Sequence, residues 1–278
     1  MTTLRIEHRT RFAYDRPIVS SYNEARLSPG WLPRQRVLES KVDVSSVTWR
    51  STYRDYWEAE VVVFEVLRPH DGLTVVGSSL VEVTGPPARD ERATWDTLHG
   101  PRFQDLLSEY LSVSEVTEPT EELADFATEA AGRLEPDATA RAICDYLSGQ
   151  MKYVPGATTV NTPARDAWET RSGVCQDFAH LVIGALRHVG IPARYVSGYL
   201  HPKRDAAIGE TVTGESHAWV EWWTGDWFGF DPTNDREVGD KHVIVARARE
   251  YRDIPPLTGV VAGNTASLDV QVHVTQVE

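Results

Sequence analysis

The sequence predicts an α+β protein in which a small β-sandwich is followed by a run of helices and then by an antiparallel sheet. Three observations lead to this prediction. Residues 1 to about 85 alternate apolar and polar positions, residues from about 100 to 189 have apolar positions at helical spacing, and alternating segments return after residue 192. Because helices precede strands without alternating with them, we do not expect a doubly wound parallel sheet.

The N-terminal segment is predicted to form the strands of the sandwich. Its alternating, β-branched stretches cover residues 4–10, 41–49, 56–64 and 73–83. Turn signals such as Asp71-Gly72 separate them. The stretch 85–92 is rich in proline and charge, which is typical of a linker. We therefore predict a β-rich N-terminal domain over 1–88 and a second, catalytic domain over 89–278.

The second domain is predicted to begin with helices and to end with strands. The helices are expected at about 103–111, 120–131, 137–151 and 174–189, and the strands at 193–200, 215–223, 227–231, 242–246 and 267–274. Thr120 precedes an acidic first turn, which favours a helix start. Gly190 and Pro192 end the fourth helix, because glycine suits a helix C-terminus and proline cannot continue it.

Composition excludes several classes of partner. The formal net charge is −13, from 28 basic and 41 acidic residues, and no Lys/Arg-rich stripe is present, so we expect no nucleic acid partner. No apolar run reaches the roughly 18 residues of a membrane-spanning helix, so no membrane partner is expected. The polar start lacks the apolar stretch of a secretory signal, which predicts a cytoplasmic protein. The sequence does not indicate the oligomeric state.

Cysteine and histidine usage argues against a metal site. Cys144 and Cys175 are the two cysteines, too few for a disulfide framework or a multi-cysteine zinc site. Cys144 falls on the apolar face of the third predicted helix and is expected in the core. His180 and His188 share the fourth helix, and we interpret both as solvated surface residues rather than as metal ligands.

Cys175 stands at the start of the fourth predicted helix, in Arg171-Ser-Gly-Val-Cys175-Gln-Asp-Phe178. The first amides of a helix have no partner within it, and the helix dipole stabilises anions there. That position therefore favours a thiolate nucleophile and an adjacent oxyanion. The alternative is that Cys175 is a small buried apolar residue, as cysteine often is. A histidine and an aspartate downstream favour the nucleophile.

Those two residues lie on one predicted hairpin. His217 begins the strand Ser216-His-Ala-Trp-Val-Glu-Trp-Trp223, and Asp231 ends the return strand Trp227-Phe-Gly-Phe-Asp231. A tight turn at Thr224-Gly225 would pair residues whose numbers sum to about 449, within a residue or so. The two side chains are then expected at the same end of the hairpin, where an aspartate can orient a basic imidazole. A satisfied polar histidine and an aspartate that opens a turn are the alternatives.

The chain resembles the transglutaminase-like superfamily in its bacterial two-domain form. The resemblance is carried by Tyr153-Val-Pro-Gly-Ala-Thr-Thr159, Arg171-Ser-Gly-Val-Cys-Gln-Asp-Phe178, Gly190-Ile-Pro-Ala-Arg-Tyr-Val-Ser-Gly-Tyr199, Ser216-His-Ala-Trp-Val-Glu221 and Gly229-Phe-Asp-Pro-Thr-Asn234. It implies a papain-like transglutaminase core, preceded by the sandwich. By matched motifs it implies Cys175 as nucleophile, His217 as base and acid, and Asp231 as the residue that orients His217. It implies no metal and no organic cofactor.

The predicted function is acyl transfer on an amide bond of a peptide or protein substrate, through a thioester on Cys175. Water as the acceptor gives a peptidase or amidase, which we favour. An amine as the acceptor gives transglutaminase crosslinking. A third alternative is a non-catalytic relative that binds a partner through its sandwich. Tyr153, Gln176 and Trp219 are additional candidates for binding the oxyanion or the substrate.

Overall fold

A computed structural model of the chain describes residues 1–86, 92–203, 205–214, 216–261 and 265–278. Its helices are α1 (Trp95–Leu98), α2 (Pro101–Leu106), α3 (Glu121–Ala131), α4 (Pro136–Gln150), α5 (Ala164–Thr170) and α6 (Cys175–His188). Its strands are β1 (Thr2–Ile18), β2 (Ser21–Ala25), β3 (Gln35–Val44), β4 (Trp49–Arg54), β5 (Glu60–Val66), β6 (His70–Val83), β7 (Lys152–Tyr153), β8 (Ser172–Gly173), β9 (Ala193–Leu200), β10 (Thr211–Gly214), β11 (His217–Trp223), β12 (Trp227–Asp231), β13 (Arg236–Glu237), β14 (His242–Ala248), β15 (Leu257–Val261) and β16 (Thr265–Gln276).

The N-terminal strands form the predicted β-sandwich. One sheet has the order β10-β16-β1-β6-β3 and the other β15-β2-β5-β4. Alternating apolar side chains from both sheets form a separate buried core, whose members include Tyr14, Ile18, Leu27, Val42, Phe64, Val66, Leu73 and Val75. The period-two pattern of the sequence thus marks the inward face of each strand.

Strands from the C-terminal end of the chain complete both sheets of the sandwich. β16 pairs antiparallel with β1 along most of its length, and β15 pairs with β2. The predicted boundary between residues 88 and 89, and most of the linker 85–92, lie outside the described residues, so the two-domain division remains a prediction. The strand pairing shows that 257–261 and 265–276 are hydrogen-bonded into the N-terminal sheets.

The second half of the chain contains the antiparallel sheet that the sequence predicts. Its order is β13-β12-β11-β9-β14. Helices α3 to α6 pack with this sheet around one apolar core, which confirms the α+β fold class. Within the described ranges, every helix is too short or too polar to cross a bilayer.

Gln35 of β3 connects the sandwich to this sheet. Its side-chain amide donates to the Ile244 carbonyl oxygen at 2.7 Å and accepts from the Ile244 N–H at 2.7 Å. Gln35 is buried, and Ile244 lies where the pairing of β14 with β9 shifts register. The amide therefore takes the place of a neighbouring strand for one residue of β14 and satisfies buried backbone groups.

Helix α6 is buried on all sides, whereas the sequence predicted a one-sided apolar stripe. Every residue from 176 to 187 is buried, because β9 and β11 cover one side and α3, α4 and α5 cover the other. Gly184 makes this packing possible. A Cβ at Gly184 would lie 1.7 Å from the carbonyl oxygen of Thr117, so only glycine allows that close backbone approach.

We expect Gly184→Ala to destabilise the protein by about 3 kcal/mol, the upper end of the usual cost of overpacking, because backbone must move to accept the methyl group. Gly149→Ala is the matched control. Gly149 also lies in a helix, α4, but no atom lies within 4 Å of its Cβ position. Its replacement should stabilise by about 0.5 kcal/mol. Urea unfolding measures both values, and equal effects of the two substitutions would contradict the packing argument.

Candidate active site

Cys175 is the first residue of α6 and is partly exposed. The preceding residue, Val174, has extended backbone and acts as the N-cap. The thiol therefore lies at the positive end of a long buried helix, next to N–H groups that have no partner within that helix. Cys175 thus lies at a helix start, as the sequence predicts.

Asp177 organises the turn that precedes Cys175. One carboxylate oxygen, Oδ2, accepts the Val174 N–H at 2.7 Å and the Thr158 hydroxyl at 2.5 Å. Asp177 is buried against Gly173, where a Cβ would lie 2.7 Å from that same oxygen. Burial raises the pKa of Asp177, although the hydrogen bonds from Thr158 and Val174 oppose the rise. One carboxylate thus joins the helix start to the loop after β7.

The pairing register of β11 and β12 places His217 and Asp231 on one face. Val220 pairs with Phe230 and Trp223 with Trp227, so paired residue numbers sum to 450. The predicted sum of about 449 was one too low, because the loop has three residues, 224–226, and Gly225 takes a φ of 109°. Continuing the register sets Asp231 opposite residue 219, two positions from His217 and therefore on its face.

His217 contacts both other members of the predicted triad. Its Nε2 lies 2.8 Å from Asp231 Oδ2, and the side chain of Cys175 is close enough to the ring to raise its pKa. Since Nε2 is engaged by the carboxylate, Nδ1 is the nitrogen left for the thiol. The structure therefore brings thiol, imidazole and carboxylate together in one chain of contacts.

Asp231 is fully buried and accepts several hydrogen bonds. Its Oδ1 accepts the backbone N–H groups of Thr233 and Asn234 at 3.1 and 3.2 Å. Its Oδ2 accepts the Asn234 side-chain amide at 2.8 Å and also contacts His242 Nε2 at 3.3 Å. Sequence reasoning missed His242 and gave Asn234 no role. An Asp-Pro-Thr-Asn turn could have indicated Asn234, but no local signal indicates His242.

The charges of the site reinforce each other. Burial lowers the pKa of His217, but the hydrogen bonds and charges of Asp231 and Cys175 outweigh burial and raise it to about 10. Burial raises the pKa of Asp231, but hydrogen bonds from His217 and His242 outweigh it and hold the pKa below its usual range. The site thus favours an imidazolium beside a carboxylate at neutral pH.

Two further candidate residues, Tyr153 and Gln176, contact or belong to the segment around Cys175. Tyr153 of β7 pairs with Gly173 of β8 and is about half exposed, at 49%. Gln176 follows Cys175 in α6 and is buried, and its amide donates to the Val160 carbonyl oxygen at 3.2 Å. Gln176 therefore holds the loop after β7. The roles of Tyr153 and Gln176 in oxyanion or substrate binding remain predictions.

Trp219 packs between two histidines of the site. Its ring centroid lies 6.0 Å from that of His217 and 5.3 Å from that of His242. A Cβ at Gly198 would lie 2.7 Å from the Trp219 ring, so this glycine makes room for the indole. Trp219 is fully buried, and its indole nitrogen has no hydrogen-bond partner in the described part of the chain. Trp219 is therefore placed to shield the imidazole from water, whereas its predicted substrate contact remains a prediction.

The predictions for Cys144 and His188 are confirmed, whereas the prediction for His180 was wrong. Cys144 is fully buried in α4, which confirms its place in the core. His188 is exposed as predicted, but His180 is buried, and its Nε2 accepts the Tyr251 N–H at 3.1 Å. The surface prediction for His180 was wrong because α6 has no exposed face there. Over the described residues, no group of three or more His, Cys, Asp or Glu side chains is arranged to hold a metal ion.

Comparison with known families yields two matches along the chain. Residues 124–232 match the transglutaminase-like superfamily, and residues 4–82 match the bacterial transglutaminase-like N-terminal region. The first match contains the helix start at Cys175 and the hairpin that carries His217 and Asp231. The second covers most of the strands of the sandwich.

The chain is also similar to several individual proteins. It is 40% identical to an uncharacterised protein of Mycobacterium leprae, over 99% of each chain. It is 34% identical over 104 residues to a protein-glutamine gamma-glutamyltransferase of Pseudomonas aeruginosa, which is 34% of this chain and 16% of that protein. The crystal structure of a proposed cysteine protease from Cytophaga hutchinsonii has the same fold, with a TM-score of 0.76 and 20% identity over 100% of this chain and 92% of that one.

We expect Asp231→Asn to lower the pKa of His217 below its ordinary value of about 6.5. The substitution removes the carboxylate charge and leaves burial, which acts in the opposite direction, as the largest influence. Histidine ring NMR on ¹⁵N-labelled protein measures the change directly. His8 is the internal control, because its pKa, lowered to about 4 by burial in the sandwich, should not move. An unchanged pKa of His217 would show that Asp231 does not determine the charge of the imidazole.

Proposed function

The chain belongs to the transglutaminase-like superfamily, and we propose that it is a thiol-dependent enzyme that acts on amide bonds of a peptide or protein. The observation that carries this proposal is the placement of Cys175, at a helix start, near His217, whose imidazole is hydrogen-bonded to buried Asp231. A nucleophile, a base and a residue that orients the base are the parts that covalent acyl transfer needs. We propose that these three residues form the catalytic triad.

In the proposed first step, the Cys175 thiolate attacks the amide carbonyl carbon and the carbonyl oxygen becomes an oxyanion. The backbone N–H of Cys175, at the start of α6, is our candidate donor to that oxygen. When the intermediate collapses, the C–N bond breaks, His217 gives its proton to the departing amine, and a thioester remains on Cys175. Asp231 keeps the imidazole in place and stabilises its charge while it holds the proton.

In the second step, an acceptor attacks the thioester carbonyl and His217 takes the acceptor's proton. Water as acceptor releases a carboxylic acid, and an amine as acceptor releases a new amide. In both cases Cys175 is regenerated with the imidazolium beside it. The triad therefore serves either outcome, and access of water to the thioester decides between them.

We favour hydrolysis, because the described surroundings of Cys175 are open to solvent. Tyr153 of β7, together with Val154 and Val160 of the loop that follows it, is between 40% and 51% exposed, and Cys175 itself is partly exposed. Transfer to an amine is the second candidate, and the local similarity to the Pseudomonas aeruginosa protein-glutamine gamma-glutamyltransferase favours it. Amine transfer would require that substrate, rather than protein, exclude water from the thioester.

Labelling with iodoacetamide tests whether Cys175 is activated. We expect Cys175 to react at pH 7 more than about tenfold faster than an ordinary thiol, and Cys175→Ala to abolish that fast phase. Cys144→Ala is the matched control and should leave it intact, since Cys144 is fully buried and burial raises the pKa of its thiol. Slow, equal labelling of both cysteines would support the third alternative, a non-catalytic binding protein.

Mass spectrometry in H₂¹⁸O separates the two reactions. The protein is incubated with a casein digest and dansylcadaverine, a fluorescent primary amine. Hydrolysis adds one ¹⁸O to a product carboxylate, whereas transfer adds the amine with loss of ammonia. We expect ¹⁸O products to dominate and to disappear with Cys175→Ala. Predominant dansyl products would favour amine transfer over hydrolysis. If neither product forms although Cys175 is labelled fast, these peptides are not substrates.

A further inference from the structure

A second histidine, His242, contacts the carboxylate of Asp231. His242 is the first residue of β14, opposite Leu200 of β9, and its side chain is buried. Its Nε2 lies 3.3 Å from Asp231 Oδ2, the oxygen that also contacts His217. The chain of contacts that starts at the thiol thus continues for one residue beyond the predicted triad.

The surroundings of His242 determine which ring nitrogen carries the proton. The backbone N–H of Gly239 donates to His242 Nδ1 at 3.2 Å, so that nitrogen must be an acceptor. In the neutral ring the proton is then on Nε2, which donates it to Asp231. Burial lowers the pKa of His242, and the hydrogen bond and charge of Asp231 offset that only in part, so the ring stays neutral.

We infer that His242 is a positioning residue for the proposed reaction. By donating from Nε2 to Asp231, it holds the carboxylate in the orientation that forms the hydrogen bond with His217. The inference rests on the proposed function, since its object is the triad. Backbone N–H groups hold Oδ1 of Asp231, so Oδ2 is the oxygen left for His217, and His242 and Asn234 restrain that oxygen. Without His242, the carboxylate can turn and its contact with the imidazolium weakens.

The packing around His242 guides the choice of substitution. The Trp219 ring meets it at 76°, edge to face, and His242 also lines a cavity of about 280 Å³ between the sandwich and the sheet. A smaller residue would extend that cavity to Asp231 and admit water. Phenylalanine fills the space without a donor, and glutamine has an amide N–H near the position of Nε2. The charged and titratable groups that act on His242 are Asp231 of β12, His217 of β11 and Arg236 of β13.

The test measures the pKa of His217 by histidine ring NMR in wild type, His242→Phe and His242→Gln. We expect the pKa of His217 to fall by about one unit with phenylalanine, a tenfold change in proton affinity, and to return to within a few tenths of a unit of wild type with glutamine. An unchanged value with phenylalanine would reduce His242 to a packing role. A rise would show that His242 competes with His217 for the oxygen instead of holding it. Either result overturns the inference.

Two controls complete the experiment. His8→Phe removes another buried histidine, in the sandwich, and should leave the pKa of His217 unchanged. If His242→Phe does not fold, His242→Met fills a similar volume without a donor and is measured instead. Iodoacetamide labelling of the wild type separates the two proposals. Slow labelling of Cys175 contradicts the proposed function itself. Fast labelling, combined with an unchanged pKa of His217 in His242→Phe, contradicts the role of His242 alone.

Discussion

The hydrogen bond between His217 and fully buried Asp231 is the contact on which the rest of the site depends. It joins two strands of one hairpin, so its existence is decided by strand register rather than by side-chain flexibility. A pairing shifted by one residue would turn Asp231 to the opposite face of the sheet. The three-residue loop with Gly225 at positive φ sets that register. The chemistry proposed for the thiol therefore depends on a turn that lies at least five residues along the chain from His217 and Asp231.

The sandwich supports the same strands from a second direction. Gln35 replaces a strand neighbour of Ile244, which lies two residues after His242 on β14. Trp219 and Asp231 lie between that strand and the imidazole of His217. Contacts that begin in the sandwich thus support the strands that hold the Asp231 carboxylate. Partly exposed Cys175 therefore lies beside an imidazole that is packed and hydrogen-bonded.

Much of the fold and the core of the site could be predicted, because their signals are local. Alternation marks strands, a helix start marks Cys175, and a hairpin brings His217 to Asp231. The misses come from tertiary context. Burial of His180 depends on Tyr195 of β9 and on Tyr251, which are distant in the sequence, and the contact of His242 with Asp231 depends on the order of strands in a sheet. Neither is encoded in the spacing of neighbouring residues, and short α5 lacks enough turns to show helical periodicity.

The position of β16 has a consequence for how the molecule assembles. β1 is synthesised long before β16, and it stays without its second neighbour until residues 265–276 have been made. Until then its backbone N–H and C=O groups on that side form an open edge, the kind of surface that pairs with other chains. Nascent protein should therefore depend on chaperone protection or on rapid completion of the chain. Both sheets of the sandwich are complete only after residues 257–276 have been made, and these follow the helices and the second sheet in the sequence.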